Sequence, residues 1–474
     1  MKKLLCFCLV FILALPLFAC GAKETAGGED AIPAGLHIGF GQANITPPFG
    51  IPLGGYGQVE NRLAASMFDP LYATCLAIRD GGDIYLLYNM DALRTEEDWA
   101  KEIRYRLELN LDIKPANVMV MSTHSHSTPE HRNGKVKEMH WEIYMKGAVE
   151  AAEAAIADLS PAKLSVGSKQ VEKLNFVRHY EMNDGTYFGS NFGSTASGFK
   201  GHATIGDHEL RVVKIDREGD KADIAICNWG AHPCFTGGTD KTEISADYVG
   251  AARRALKAAN GMEMFFILGA AGNQNATSQL PNEQHGLDNN GYGQRLADEM
   301  VAALENTTEI GGSGVEILKK DVVYEVQRGS ADPMTLEQCR EVVDVWNKAD
   351  RETGNALARK YGFHSVYHAQ AIMSNASRVL PEDTIELFVT RIGDLAIVHA
   401  PYEMFSDNSL YIKEQSAFGE ATLIATMSNK GWGYFPTKQA YDYGCYESFG
   451  AYYVGGVAEV VADAYVEMLT QLKK

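Results

Sequence analysis

Two histidines one residue apart, in Ser122-Thr123-His124-Ser125-His126-Ser127, follow the apolar stretch Val118-Met119-Val120-Met121. If the extended backbone continues through them, positions i and i+2 project to one side, and both imidazoles leave the strand end facing one pocket. That arrangement suits a metal ligand beside a proton carrier. Neutral imidazole is a common zinc ligand, and a histidine titrating near neutrality can move protons to and from water at a metal. Taken alone, the pair fits equally well as two polar residues in a strand-end loop.

The same design recurs. Ile224 to Cys227 is an apolar run leading into Asn228-Trp229-Gly230-Ala231-His232-Pro233, which puts another histidine just past a buried strand. Phe265 to Leu268 leads into Gly269-Ala270-Ala271-Gly272-Asn273-Gln274-Asn275, where small residues let the backbone approach a ligand closely. Leu395 to Val398 leads into His399-Ala400-Pro401-Tyr402-Glu403. Chemistry gathered at the carboxyl ends of several strands is the usual geometry of an α/β active site.

Together with Gln42-Ala43-Asn44-Ile45-Thr46-Pro47-Pro48, Gly54-Gly55-Tyr56-Gly57 and Ile244-Ser245-Ala246-Asp247-Tyr248, these segments resemble the catalytic domain of neutral/alkaline, non-lysosomal ceramidases and their bacterial relatives. They occur in the family's order and span nearly the whole chain after its leader. The resemblance implies a zinc-dependent amidohydrolase acting on linear amides, in the family's case a sphingolipid amide, with zinc-bound water as the attacking group. It makes His124 and His232 zinc ligands, Glu403 the ligand carboxylate and Tyr434, in Gly433-Tyr434-Phe435, a fourth ligand. His126 is then similar to the general base and acid, Tyr446 to a tyrosine that meets the substrate carbonyl, and Arg178 to a substrate-site arginine. One position departs from the pattern. Where the ceramidases place a serine, this chain has Asn275, and a carboxamide cannot form an acyl-enzyme. Either metal-bound water attacks with Asn275 orienting it, or the substrate is not ceramide. The resemblance runs almost to Lys474, leaving no room for the family's C-terminal sandwich domain.

Such a site needs a scaffold of buried strands and covering helices. Strand-like runs at Ile84–Tyr88, Val118–Met121, Ile224–Cys227, Phe265–Leu268 and Leu395–Val398 alternate with helical stretches, one of them from Val454 to Leu472. This pattern predicts an α/β fold, mixed sheets flanked by helices, with the zinc site at strand carboxyl ends. No linker divides the chain, so one large catalytic domain over 35–474 is expected. Extra hairpins are expected in Lys163–Val177 and Val315–Val326, and the loop Glu181–Gly201, dense in Gly, Ser, Asn and Phe, suits a lid over the site. Trp141, Met145, Ala148, Ala152, Ile156 and Leu159 make a helical stripe that reads as core. Thr335 and Gln338 form a capping box ahead of a helix through Trp346. His364 and His368 have the i, i+4 spacing of a metal pair, but no Glu follows His364, so they read as surface or capping residues.

Forty-six per cent hydrophobic residues and a mean hydropathy of −0.19 are ordinary for a folded chain. The net charge of −18 argues against nucleic acid as a partner. Lys2 and Lys3 precede the apolar stretch Leu4 to Leu15, too short to span a bilayer comfortably, so residues 1–19 read as a signal peptide. Leu17-Phe18-Ala19-Cys20 resembles the lipobox of bacterial lipoproteins. That resemblance implies a lipidated Cys20, a flexible tether over 20–34 and an extracytoplasmic, membrane-anchored enzyme. Cys75, Cys227, Cys234, Cys339 and Cys445 remain, and the spacing of Cys227 and Cys234 fits buried thiols or a local disulfide rather than a thiolate zinc site. Two other functions stand beside the amidase: a surface lipoprotein that binds a ligand without turning it over, and a serine-type esterase or deacylase using Ser127 or Ser278. No Gly-x-Ser-x-Gly elbow supports the latter.

Overall fold

A computed structural model describes residues 35–56, 62–189, 197–238, 241–329 and 332–474. The leader and Cys20 lie outside the described residues. Four layers stack as helices, sheet, sheet, helices, and the reason is visible in the strands. Along Glu263–Leu268, Met264, Phe266 and Leu268 face one apolar cluster while Phe265 and Ile267 face another. Leu395–His399 does the same, with Ala396 and Val398 on one side and Leu395 and Ile397 on the other. Strands buried on both faces read as unbroken apolar runs, and for that reason these were the legible ones.

The larger sheet has nine strands. From one edge to the other its main path runs Glu263–Leu268, Ile224–Trp229, Glu209–Arg217, Ser160–Gln170, Leu36–Asn44, Tyr72–Asp80, Ile84–Met90 and Val118–Ser122, and Thr308–Ile310 pairs with Ser160–Gln170. The interior pairings are antiparallel, but the outermost pair at each edge is parallel. Each parallel pair is joined through a helix, Glu97–Leu111 at one edge and Asp247–Asn260 at the other. The sheet therefore carries a βαβ unit on both flanks, each delivering loops at its carboxyl end.

Those two ends meet because the sheet curls around the second one. Met119 and Met121 from one edge share a cluster with Phe265 and Ile267 from the other and with Leu395, Ile397 and Leu423 of the smaller sheet. This sheet orders Val315–Glu325, Glu382–Ile392, Leu395–His399 and Thr422–Ala425. The turn after Thr422–Ala425 ties the edges together. Thr426 N–H donates to Leu268 O at 2.9 Å, and Asn429 N–H donates to Val120 O at 2.6 Å. Met427 and Asn429 take left-handed φ values of 54° and 61° to make that turn.

Several expectations change. Lys163–Val177 and Val315–Val326 are not hairpins: Ser160–Gln170 and Val315–Glu325 are long single strands with partners distant in sequence. The helix Pro333–Lys348 is capped by Asp332, which accepts from the N–H groups of Met334 and Thr335, with Pro333 in the first turn. Asp before Pro outcompetes the Thr335 box because its side chain already satisfies those donors. The segment Glu181–Gly201 is partly strand: Tyr187–Gly189 and Phe199–His202 flank His179–Met182 in a three-stranded sheet, while 190–196 lie outside the described residues. Within the helix Gly134–Ala157, Met145, Ala148 and Ala152 are core, as the stripe implied. The last helix runs Val457–Leu472. Among the described residues the five cysteines, Cys75, Cys227, Cys234, Cys339 and Cys445, are free thiols.

Candidate metal centre and active site

His124 lies two residues beyond Val118–Ser122, but the strand has ended. Thr123 N–H and His124 N–H donate to Met90 O and Ala92 O, each at 2.9 Å, and His124 sits at φ 66°. The imidazoles of His124 and His126 thus converge through a left-handed turn and not through the pleat of a continuing strand. A non-glycine residue in this region is strained, and such strain is characteristic of sites over-determined by their surroundings. Here the ring itself is fixed: His124 Nδ1 lies 2.7 Å from Leu93 O, a carbonyl that only accepts, so Nδ1 carries the proton and Nε2 presents a lone pair.

His232, from the strand next to the opposite edge of the sheet, is held the same way. Its N–H donates to Gln274 O at 3.0 Å and its Nδ1 donates to Ala271 O at 2.6 Å. The two Nε2 atoms face each other at 3.2 Å. Glu403 Oε2 stands 3.3 Å from both and has no donor of its own despite being buried. Burial, then Arg178, pushes the His232 imidazole down to about 4, so it is neutral at physiological pH. With each Nδ1 turned to a backbone carbonyl, the two Nε2 atoms and a carboxylate oxygen converge on one point. Such an arrangement is costly unless a cation fills it, and an N, N, O donor set suits a divalent first-row metal ion.

Glu403 reaches this point through a short parallel ladder in which it is the register partner of Tyr434, reinforced by Glu403 N–H to Gly433 O at 2.8 Å. Gly272 permits the approach, since a Cβ there would lie 2.4 Å from Glu403 O. Tyr434 lies alongside, its ring centroid 6.5 Å from that of His232. Burial and the Glu403 charge hold its phenol well above the usual range, so it becomes a ligand oxygen only with a cation to oppose them.

His126 completes the cluster. Its Nε2 is 3.4 Å from His124 Nε2, within ligand reach of the same point, and it is the least enclosed of the three rings. Tyr56 packs edge-on at 5.2 Å, and a Cβ on Gly55 would lie 2.6 Å from the imidazole, so this position requires a residue without one. Arg62 clamps the loop by donating to Gly54 O at 2.6 Å and His126 O at 3.1 Å. The Ile244–Tyr248 motif is structural. Ser125 Oγ donates to Ser245 O, Asp247 accepts from Thr236, and Tyr248 OH donates to Ala231 O, which stitches the His126 loop to the His232 loop.

Arg178 and Asn275 flank His232. Arg178 donates from Nε and Nη2 to Glu447 Oε1 at 2.8 and 2.7 Å, from Nη2 to Gly272 O at 2.8 Å, and from Nη1 to Asn275 Oδ1 at 3.1 Å. Glu447 was not read from the sequence, though it directly follows Tyr446. Its other oxygen accepts from His179 Nε2 at 2.7 Å, and His179 Nδ1 meets Tyr443 OH at 2.8 Å. Burial opposes a charge on His179, yet Glu447 lifts it to about 10. His179, Cys445 and Glu447 are close enough to suggest a second metal group, but a protonated imidazole inside an Arg178–Glu447–His179 ion triad has no lone pair to give. Removing the carboxylate would strand two buried cations, a loss of about 3–5 kcal/mol. Tyr446 packs edge-on against Tyr434 at 5.5 Å.

Other candidates fall elsewhere. His399 ends its strand in the core between Thr390 and Ser428, so that strand end contributes Glu403 and no histidine. His364 and His368 pack beside Phe449. Ser127 Oγ accepts from Thr236, and Ser278 Oγ donates to Glu283 Oε2 at 2.5 Å; among the described residues neither bonds an imidazole.

The family model for the N-terminal part of neutral/alkaline non-lysosomal ceramidases matches residues 36–311. A solved structure of a ceramidase complexed with C2 is similar with a TM-score of 0.68 and 17% identity, covering 93% of this chain and 76% of that one. A neutral ceramidase from Pseudomonas aeruginosa gives 0.66 and 16%, covering 93% and 75%. At such identities the likeness to the solved structures speaks for the fold. No curated protein matches the chain in sequence.

Proposed function

The chain belongs to the neutral/alkaline non-lysosomal ceramidase family, and on that footing we propose that it is a zinc-dependent hydrolase of N-acyl amide bonds. One observation supports zinc above all: His124, His232 and Glu403 direct two imidazole Nε2 atoms and a carboxylate oxygen at one point, 3.2 to 3.3 Å from one another. These three residues would hold the ion, with Tyr434 as the fourth. When bound there, the ion would polarise the amide carbonyl and lower the pKa of the attacking water.

The protein groups supply the rest. His126, part-exposed beside the cluster, takes the proton from water as its oxygen bonds to the carbonyl carbon. It then returns that proton to the nitrogen as the C–N bond breaks, leaving a carboxylic acid and an amine, and the acid then gives up its remaining proton to solvent. Arg178, immobilised by Glu447, keeps His232 and Asn275 in place, and Tyr446 stands beside Tyr434 to meet the substrate. A lipid amide, with a sphingoid amide as the first to try, fits the family. Cys20 as a lipid anchor would hold the enzyme on the outer side of a bacterial membrane, and Cys20→Ser should then move the protein into the soluble fraction.

The test of function is zinc content measured with turnover of a panel of N-acyl amides. Zinc-dependent cleavage of any member supports the reading. Full zinc loading with no turnover would favour a ligand-binding lipoprotein.

A further inference from the structure

The surroundings of Asn275 fix which end of its carboxamide is held by the protein and which is left to donate. Its backbone pairs with Phe176 on one side and bridges to His232 on the other. Arg178 Nη1 lies 3.1 Å from its side-chain oxygen. A guanidinium only donates, so the atom turned toward it must be Oδ1, and Nδ2 points the other way. Arg178 is not free to rearrange, because Glu447 and Gly272 O hold its remaining nitrogens at 2.7 to 2.8 Å. Among the described residues Asn275 Nδ2 donates to no protein group.

A serine hydroxyl at this position could both donate and accept. The end of the Asn275 carboxamide turned away from Arg178 is Nδ2–H, which only donates. It therefore cannot draw a proton from the attacking water, and donating into a water lone pair would blunt the attack. The atom in amide hydrolysis that gains from a donor is the carbonyl oxygen, which takes up the electron pair as the water oxygen bonds to carbon and gives it back as the C–N bond breaks. We propose that Asn275 is a catalytic residue that donates an Nδ2–H hydrogen bond to the scissile carbonyl oxygen, the bond strengthening as that oxygen becomes negative. No proton is transferred at Asn275. The proposal rests on the amide-hydrolase reading and assigns this residue a role different from orienting water.

The test compares Asn275→Asp, Asn275→Ala and Asn275→Ser in the full-length protein. Zinc content, kcat and KM on N-dodecanoyl-4-nitroanilide, and the Kd of dodecylphosphonate as a tetrahedral mimic are measured for each. Asp keeps an acceptor for Arg178 but turns a second carboxylate oxygen toward the substrate, so it should be the worst variant. Ala should lose roughly 10²–10³-fold in kcat, the usual consequence of removing one such donor, with little change in KM. Ser should recover part of the loss. Phosphonate affinity should fall in the same order while zinc content stays constant. If Asn275 merely supports Arg178, Asp will equal the wild type and Ala will be worst, and that order overturns the proposal, as would equal kcat throughout. A wild type that cleaves no anilide would tell against the amidase reading, while the phosphonate series would still decide the donor assignment.

Discussion

Glu403 and Tyr434 are register partners in a two-stranded parallel ladder, although the helix Ser406–Gln415 and the strand Thr422–Ala425 lie between them in sequence. Parallel pairing places their side chains on the same side, and that side is the one reached by His124 and His232. A carboxylate and a phenol are thereby added to two imidazoles by backbone hydrogen bonding alone, before any ion is present.

Zinc binding should therefore depend on all four groups unequally. We expect one zinc per purified chain, near-complete loss in His124→Ala, His232→Ala and Glu403→Gln, and retained but weaker binding in Tyr434→Phe. Metal analysis after dialysis reads this directly. Wild-type occupancy in both histidine variants would remove the assignment.

His126 shares the cluster but is the least buried of its three histidines, which suits a proton carrier. His126→Ala should keep its zinc and lose roughly two to four orders of magnitude in turnover, the span typical of general acid/base catalysis. Parallel loss of metal and activity would make His126 a ligand, and unchanged turnover would exclude it from the mechanism.

Among the described residues Ser127 and Ser278 are hydrogen-bonded to groups other than an imidazole, so neither of these two hydroxyls is activated for acyl transfer. A fluorophosphonate probe should label neither, chelation should abolish activity, and pre-steady-state kinetics should show no acyl-enzyme burst. Labelling of either serine in step with inactivation would restore the serine-hydrolase reading.

Acid should destabilise the fold through histidines remote from the metal. Burial pushes His399 down to about 3 and His140 to about 4. In the unfolded chain both titrate near 6.5, so as pH falls from there the unfolded state takes up protons first. The stability held by the neutral rings is full above about pH 6.5 and is lost progressively down to about 4 for His140 and about 3 for His399, the steepness following the number of such groups. The pH dependence of Tm over this range should be shallower in His399→Gln than in the wild type. An identical slope would show that His399 does not carry the linkage.

The sequence by itself determined the strands that are apolar on both faces and the residue types at their ends. Val118–Ser122, Ile224–Trp229 and Glu263–Leu268 announce themselves because each is buried twice over, and His124, His126, His232 and Asn275 follow them directly. Long strands with one face more polar, such as Val315–Glu325, were harder to read because their pattern is also that of a hairpin. Only the tertiary structure decided which strand ends meet. His124 comes from one edge strand of a nine-stranded sheet and His232 from the strand next to the other edge, and they meet because that sheet curls and the Thr426–Asn429 turn ties its edges together. His399, equally plausible in sequence, is sealed in the core, whereas Glu447, with no motif of its own, holds Arg178 in position. Local sequence specifies what a strand end carries. Which ends converge depends on sheet curvature and on hydrogen bonds between residues hundreds of positions apart, and no local pattern encodes these.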